Sequence, residues 1–202
     1  MLVASNANAI TYGFAKITAN GNPDVSSQLS VDVTSGGSGL VSFQFFNNVG
    51  IASSISEIYF QDGLLGAPSI TESAGVVFQV GATPASLPGG NLASPPFVTS
   101  VMFDSSSDNP QVTKGVNAST EWVTLTFGLG SFADITAIDN ALSAGTLRIG
   151  LHVTGYVGGT SESYVNGGPI ERSLVPDGGS TVALLGFALV GVDFLRRRIG
   201  RA

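Results

Sequence analysis

The chain has no cysteine among its 202 residues. Disulfide staples, thiolate metal sites and cysteine nucleophiles are therefore excluded. A single histidine, His152, rules out a histidine-rich zinc site. No serine stands in the Gly-x-Ser-x-Gly elbow of an α/β-hydrolase. Charge is scarce as well: 11 % of residues are charged, against roughly 25 % in an ordinary soluble domain. Between residues 10 and 175 only Lys16, Lys114, Arg148 and Arg172 oppose twelve acidic residues, whereas from residue 176 onward four arginines face Asp177 and Asp193. An acidic body without a basic stripe argues against nucleic acid as a partner.

What is abundant is glycine, 27 residues, together with serine and threonine. The solvated surface must then be built mostly from neutral hydroxyls, amides and backbone. The length suits one domain with a substantial hydrophobic core plus tails.

Short β-branched or aromatic runs recur at residues 10–18, 29–34, 40–47, 54–61, 76–80, 97–104, 122–127 and 147–154. Several alternate with period two: Val41, Phe43 and Phe45 face one way and Ser42, Gln44 and Phe46 the other, while Ile149, Leu151 and Val153 share a face. Turn formers separate the runs, and the long 82–96 stretch with Pro95 and Pro96 reads as an ordered loop crossing one end of the fold. Eight such runs predict an all-β protein, an antiparallel β-sandwich or jelly roll. One segment departs from the pattern. Ile135, Ile138 and Leu142 repeat at helical spacing, with Ser131 as the predicted cap and Gly145 as the stop, giving one short helix between the Trp122 and Leu147 strands.

Several residue types suggest chemistry. Asp62, Asp104 and Asp108 could offer oxygens to calcium, but their spacing is not that of an EF-hand loop, and solvated loop acids are the better reading. No other metal or cofactor is expected. Glycoside hydrolysis needs two facing acids; Glu57, Glu72, Glu121 and Glu162 are the glutamates from which a pair would come, and nothing in their spacing joins any two. His152 alternates away from Ile149, Leu151 and Val153 and reads as a surface or edge residue. Tyr156 and Tyr164 are the candidate ligand-binding residues, able to stack on sugar rings if they stand in an exposed row. Trp122, in a run with Leu125 and Phe127, reads as core.

Both ends look like export devices. Ala7, Asn8 and Ala9 have the small-x-small form that signal peptidase accepts, so residues 1–9 read as the truncated remnant of a signal peptide. Residues 10–166 form the β domain. Residues 167–179 are a linker ending in Val175, Pro176, Asp177, Gly178 and Gly179, where proline removes an N–H and the two glycines resist regular structure. Residues 180–195 then read as a short transmembrane helix. The uncharged run from Thr181 to Val192 is shorter than the roughly 20 residues of a full span, and Asp193 lies close enough to Arg196, Arg197 and Arg198 to pair with them near the interface. Those arginines begin a cytoplasmic tail, residues 196–202, and orient the acidic body outside.

The order of Val175 to Gly179, an apolar run and Arg196 to Arg198 resembles the C-terminal sorting signals of the PEP-CTERM class, most closely the VPDSG-CTERM variant. Gly178 departs from the variant's serine. The resemblance implies recognition of Val175–Gly179 by an exosortase, a membrane-embedded cysteine protease or transpeptidase, with membrane lipid as the environment before processing. On that reading these residues are substrate and the chain itself is not an enzyme. In the body, residues 45–47, 51–60, 87–91, 95–97 and 144–150 resemble exported β-proteins that carry such tails. That likeness implies an inner-membrane precursor with its body outside the cytoplasm, then an envelope or extracellular-matrix protein associated with exopolysaccharide. A secreted carbohydrate-binding module and a divergent glycoside hydrolase are the competing expectations.

Overall fold

A computed structural model describes residues 9–61, 65–105 and 111–167. Ten strands lie among them: β1 Ile10–Lys16, β2 Leu29–Ser35, β3 Leu40–Asn47, β4 Ser54–Gln61, β5 Pro68–Glu72, β6 Phe78–Val80, β7 Val101–Ser105, β8 Trp122–Gly128, β9 Arg148–Thr154 and β10 Glu162–Asn166. A single α-helix, α1 Ile135–Ala144, connects β8 to β9. All strand pairs are antiparallel, in the order β5-β8-β3-β2-β1-β10-β9-β4-β7-β6. The domain is thus all-β with one short helix.

The two halves of this sheet are joined by β1. Its residues Ile10 to Gly13 pair with β2, and Phe14 to Lys16 pair with β10. A strand that changes partners half-way along bends the sheet over on itself. The result is a near-closed barrel whose seam lies between the edge strands β5 and β6. The halves pack face to face, but β1 makes them one sheet and not two.

The seal between the halves is aromatic. Phe43 and Phe127 from one side meet Phe60 and Phe103 from the other, with ring centroids 5.0–6.2 Å apart and edge-to-face geometry throughout. Each of these rings is essentially fully buried, a burial that contributes about 1.5–3 kcal/mol per ring. Val31, Val33, Val123 and Leu125 extend the same core.

The two halves differ in what covers them. Along β2, β3 and β8 burial alternates residue by residue, so one face is core and the other wet. Nearly all of β4 and every residue of β10 are buried. The reason is the loop over residues 82–97. It lies across the outer face of the β10-β9-β4 half, contrary to the expected crossing of one end, and builds a second small core from Tyr59, Leu87, Ala93, Phe97 and Val165. Gly150 makes this possible: a Cβ there would stand 2.7 Å from a Leu87 methyl and 3.2 Å from the Phe97 ring.

The helix is capped three residues later than expected. Asp134, not Ser131, is the N-cap, its carboxylate accepting from the Ala137 N–H at 2.9 Å. Its predicted stop is where expected, with Gly145 in the left-handed region at φ +70°. Ile138 and Leu142 enter the main core, so the helix covers the end where β8 leaves and β9 enters.

Candidate functional site

The residues of the expected sorting signal, Val175, Pro176, Asp177, Gly178, Gly179, Arg196, Arg197 and Arg198, lie outside the described residues, as do Asp62 and Asp108 of the calcium reading. So do the membrane helix expected over 180–195 and most of the signal-peptide remnant. Among the described residues, no helix is long and apolar enough to cross a membrane, and no group of three His, Cys, Asp or Glu side chains is arranged to hold a metal ion.

Tyr156 and Tyr164 come together, but inside the protein. Tyr164 is 0 % and Tyr156 5 % exposed, and their hydroxyls are 2.9 Å apart. The Val25 N–H donates to the Tyr164 hydroxyl at 3.3 Å. Burial, and for Tyr156 also the bond to Tyr164, pushes both phenols above their ordinary pKa. These two rings therefore do not form an exposed stacking row.

Trp122 is the reverse case. It was expected in the core with Leu125 and Phe127, yet an even position on β8 points away from odd ones, and Trp122 is half-buried on the outer face. It stands directly across from Phe46 of β3. Around this pair the outer face offers Ser30, Gln44, Thr124 and Thr126.

His152 lies on the face opposite Leu151 as expected, but β9 is a central strand between β10 and β4, not an edge. Its Nδ1 is 2.6 Å from Glu57 Oε2. Tyr59 donates its hydroxyl to the same carboxylate oxygen at 2.8 Å and to the Pro84 carbonyl at 3.0 Å. Burial and the neighbouring Glu57 push the Tyr59 phenol above its ordinary pKa, which keeps it a donor. Glu57 pairs in register with Asp104 of β7, so two acids do stand side by side. They are 2 % and 5 % exposed, on the face that the 82–97 loop covers. Glu57 thus holds the Tyr59 hydroxyl that ties the loop to the sheet at Pro84.

The other glutamates each hold a separate piece of backbone. Glu72 accepts from the Phe78 N–H, and Glu121 from the N–H groups of Asn117 and Ala118 at 2.8 and 3.1 Å. Glu162, fully buried, accepts from the N–H groups of Asn20 and Asn22 at 2.9 and 3.1 Å and from Lys16 Nζ at 3.0 Å. Glu72 and Glu121 lie near each other at the β5–β8 end, each engaged with a different stretch of backbone.

Sequence reading passed over Arg148 and Asn166. Both line a cavity of about 390 Å³ between the Ala93–Pro95 segment, the C-terminal end of α1 and strands β1 and β10. Arg148 is 6 % exposed. Its Nη1 donates to the carbonyls of Pro95 and Pro96 and to Gln61 Oε1, at 2.8, 3.4 and 3.2 Å, and its guanidinium lies 5.4 Å from the centroid of the Phe97 ring. Burial lowers its pKa from the ordinary arginine value. Asn166 accepts from the Ile149 N–H through Oδ1 at 2.6 Å, which leaves its buried Nδ2 without a partner. The only hint in the sequence was that the β domain has so few cations.

The model of the VPDSG-CTERM motif matches residues 175–199. No curated protein and no solved structure matches the chain. The chain thus ends in a C-terminal sorting motif of the exosortase-processed class, preceded by an all-β domain.

Proposed function

We propose that the protein is a non-enzymatic envelope or extracellular-matrix protein, exported with the β domain outside the cytoplasm and processed by an exosortase at Val175–Gly179. The observation that carries this reading is the sorting motif over residues 175–199. In this proposal residues 180–195 span the membrane before processing, and Arg196, Arg197 and Arg198 stay on the cytoplasmic side. Pro176 and the paired glycines keep the motif extended, as a protease substrate must be. The test is intact-mass analysis of the protein from its own cells, beside a Pro176→Ala, Asp177→Ala variant. The wild type should end near Val175–Gly179 while the variant keeps its tail; a tail retained in both would reject the sorting role.

A second reading concerns what the exported domain does. The outer face around Phe46 and Trp122 is hydroxyl-rich, with Asp32 as its carboxylate across from Gln44, a surface suited to stacking and hydrogen bonding with a polysaccharide. This favours a glycan-binding matrix protein, with Trp122 and Phe46 in the role that Tyr156 and Tyr164 cannot fill.

A further inference from the structure

We propose that Asn20 is a site of spontaneous deamidation, and that its isoaspartyl product opens the clasp around Glu162. The sequence holds two Asn–Gly pairs, Asn20-Gly21 and Asn166-Gly167. In such a pair the glycine has no side chain to crowd its own amide nitrogen, so that nitrogen can approach the side-chain carbonyl of the asparagine before it. The fold makes the two pairs unequal.

Asn20 and Gly21 lie exposed in the bend that follows β1. Gly21 has φ +87°, and a Cβ built on it would meet nothing within 4 Å, so its flank is open. Its N–H donates to no described residue. The Asn20 side chain is held at one point, Nδ2 to the Ser161 carbonyl at 2.8 Å, and that bond is itself exposed. Breaking an exposed bond of this kind slows a reaction by no more than about tenfold. Asn166 is the opposite case. It is 6 % exposed, lies in β10 across from Phe14 of β1, and its Oδ1 accepts from the Ile149 N–H at 2.6 Å. Its side chain must leave a packed strand before the Gly167 nitrogen can reach it.

The chemistry requires only water and hydroxide. Hydroxide takes the proton of the Gly21 N–H as the nitrogen attacks Asn20 Cγ. The new N–Cγ bond closes a succinimide ring, and the Cγ–Nδ2 bond breaks to release ammonia, which takes its extra proton from water. Water then opens the ring. Addition at Cγ gives aspartate in an unchanged backbone, whereas addition at the main-chain carbonyl gives isoaspartate, in which the chain runs through the side chain and gains a backbone carbon.

That extra atom falls where spacing matters. The N–H groups of Asn20 and Asn22 both donate to Glu162 Oε1, at 2.9 and 3.1 Å, and Lys16 Nζ lies 3.0 Å from the same oxygen. Asn22 is also fixed by Thr160, whose hydroxyl donates to its Oδ1 at 2.6 Å. A backbone lengthened between residues 20 and 21 displaces one of the two N–H groups from that oxygen. Glu162 then loses a donor that a buried carboxylate needs.

The test is peptide mapping by mass spectrometry, with isoaspartate detection, on the full chain in detergent aged in mildly alkaline buffer. Residue 20 should convert to aspartate and isoaspartate, and residue 166 at least tenfold more slowly. In guanidinium chloride, where the fold no longer separates them, the two should react at similar rates. Asn20→Gln should remove the conversion at position 20. The aged chain should unfold at a lower urea midpoint than the fresh chain, and lower than Asn20→Asp, which adds the charge without the backbone atom. The mapping uses the wild-type chain, so it does not depend on either variant folding. Conversion at residue 166 keeping pace with residue 20 in the folded chain, no isoaspartate at residue 20, or an aged midpoint equal to the fresh one would overturn the proposal.

Discussion

Glu162 is the sharpest example of a single residue set by its surroundings. Burial by itself would raise its pKa, but donors from Thr18, Lys16, Asn22 and Asn20 outweigh that and hold the carboxyl below the ordinary glutamate value. A depressed folded pKa stabilises the protein above the unfolded glutamate pKa of about 4.3, and that stabilisation is lost as pH falls through the folded value. Glu162→Gln should therefore be less stable than wild type at pH 7 by about 1–3 kcal/mol. The gap should close in urea titrations carried out at progressively lower pH; a constant gap would mean that the charge is irrelevant. Glycines show a different residue-scale effect. A Cβ on Gly115 would meet the Ile55 carbonyl oxygen at 2.3 Å, whereas on Gly150 it would meet the ends of the Leu87 and Phe97 side chains. Backbone at the Ile55–Val116 bridge cannot retreat as a methyl can. Gly115→Ala should cost about 3 kcal/mol and Gly150→Ala about 1 kcal/mol, measured as shifts of the unfolding midpoint.

At the scale of elements, burial pattern separates strands that sequence reveals from strands it conceals. β3 and β8 alternate because one face is wet, and their ranges are legible almost to the residue. β10, with Glu162, Ser163 and Asn166, is polar in sequence yet wholly buried, because the loop covers one side and the core the other. Glu162 and the Asn166 Oδ1 find partners far along the chain, so no local pattern marks it. β5 is hidden for the opposite reason: it is a five-residue edge strand opening on Pro68, and Ile70 is the residue it packs against the core. The helix was legible from Ile138 and Leu142, and the capping error between Ser131 and Asp134 arose because either side chain satisfies the local rule. Asp134→Ala should lower stability by about 1 kcal/mol through loss of the bond to the Ala137 N–H, whereas Ser131→Ala should leave the unfolding midpoint within error.

The whole molecule has a divided character. Its body is acidic and poor in charge, and its end is basic. An outer surface mostly of hydroxyls and amides, with Trp122 beside Phe46 and Asp32 as a lone carboxylate among them, has little field to steer a charged polymer and suits neutral chains held at short range. Titration of the full chain with neutral oligosaccharides should show binding that changes little with salt and falls about tenfold in Trp122→Ala, roughly the loss of one stacking contact. Binding that vanishes at high salt, or that is indifferent to Trp122, would place the contact elsewhere.

The sequence by itself determined the all-β class, the position of the helix stop at Gly145 and the sorting motif at the end of the chain. Each rests on neighbours within a few positions: alternation on a pleated strand, a left-handed cap that favours glycine, a proline and two glycines ahead of an apolar run. Only the tertiary structure decided that β1 joins both halves, that Tyr156 and Tyr164 turn inward, that Trp122 faces outward, and that Glu57 meets His152 across 95 positions. It also brought Arg148 and Asn166 to one cavity. Those outcomes depend on which strands become neighbours and on where the 82–97 loop lies, and pairing between distant strands leaves no period in the chain from which it can be read.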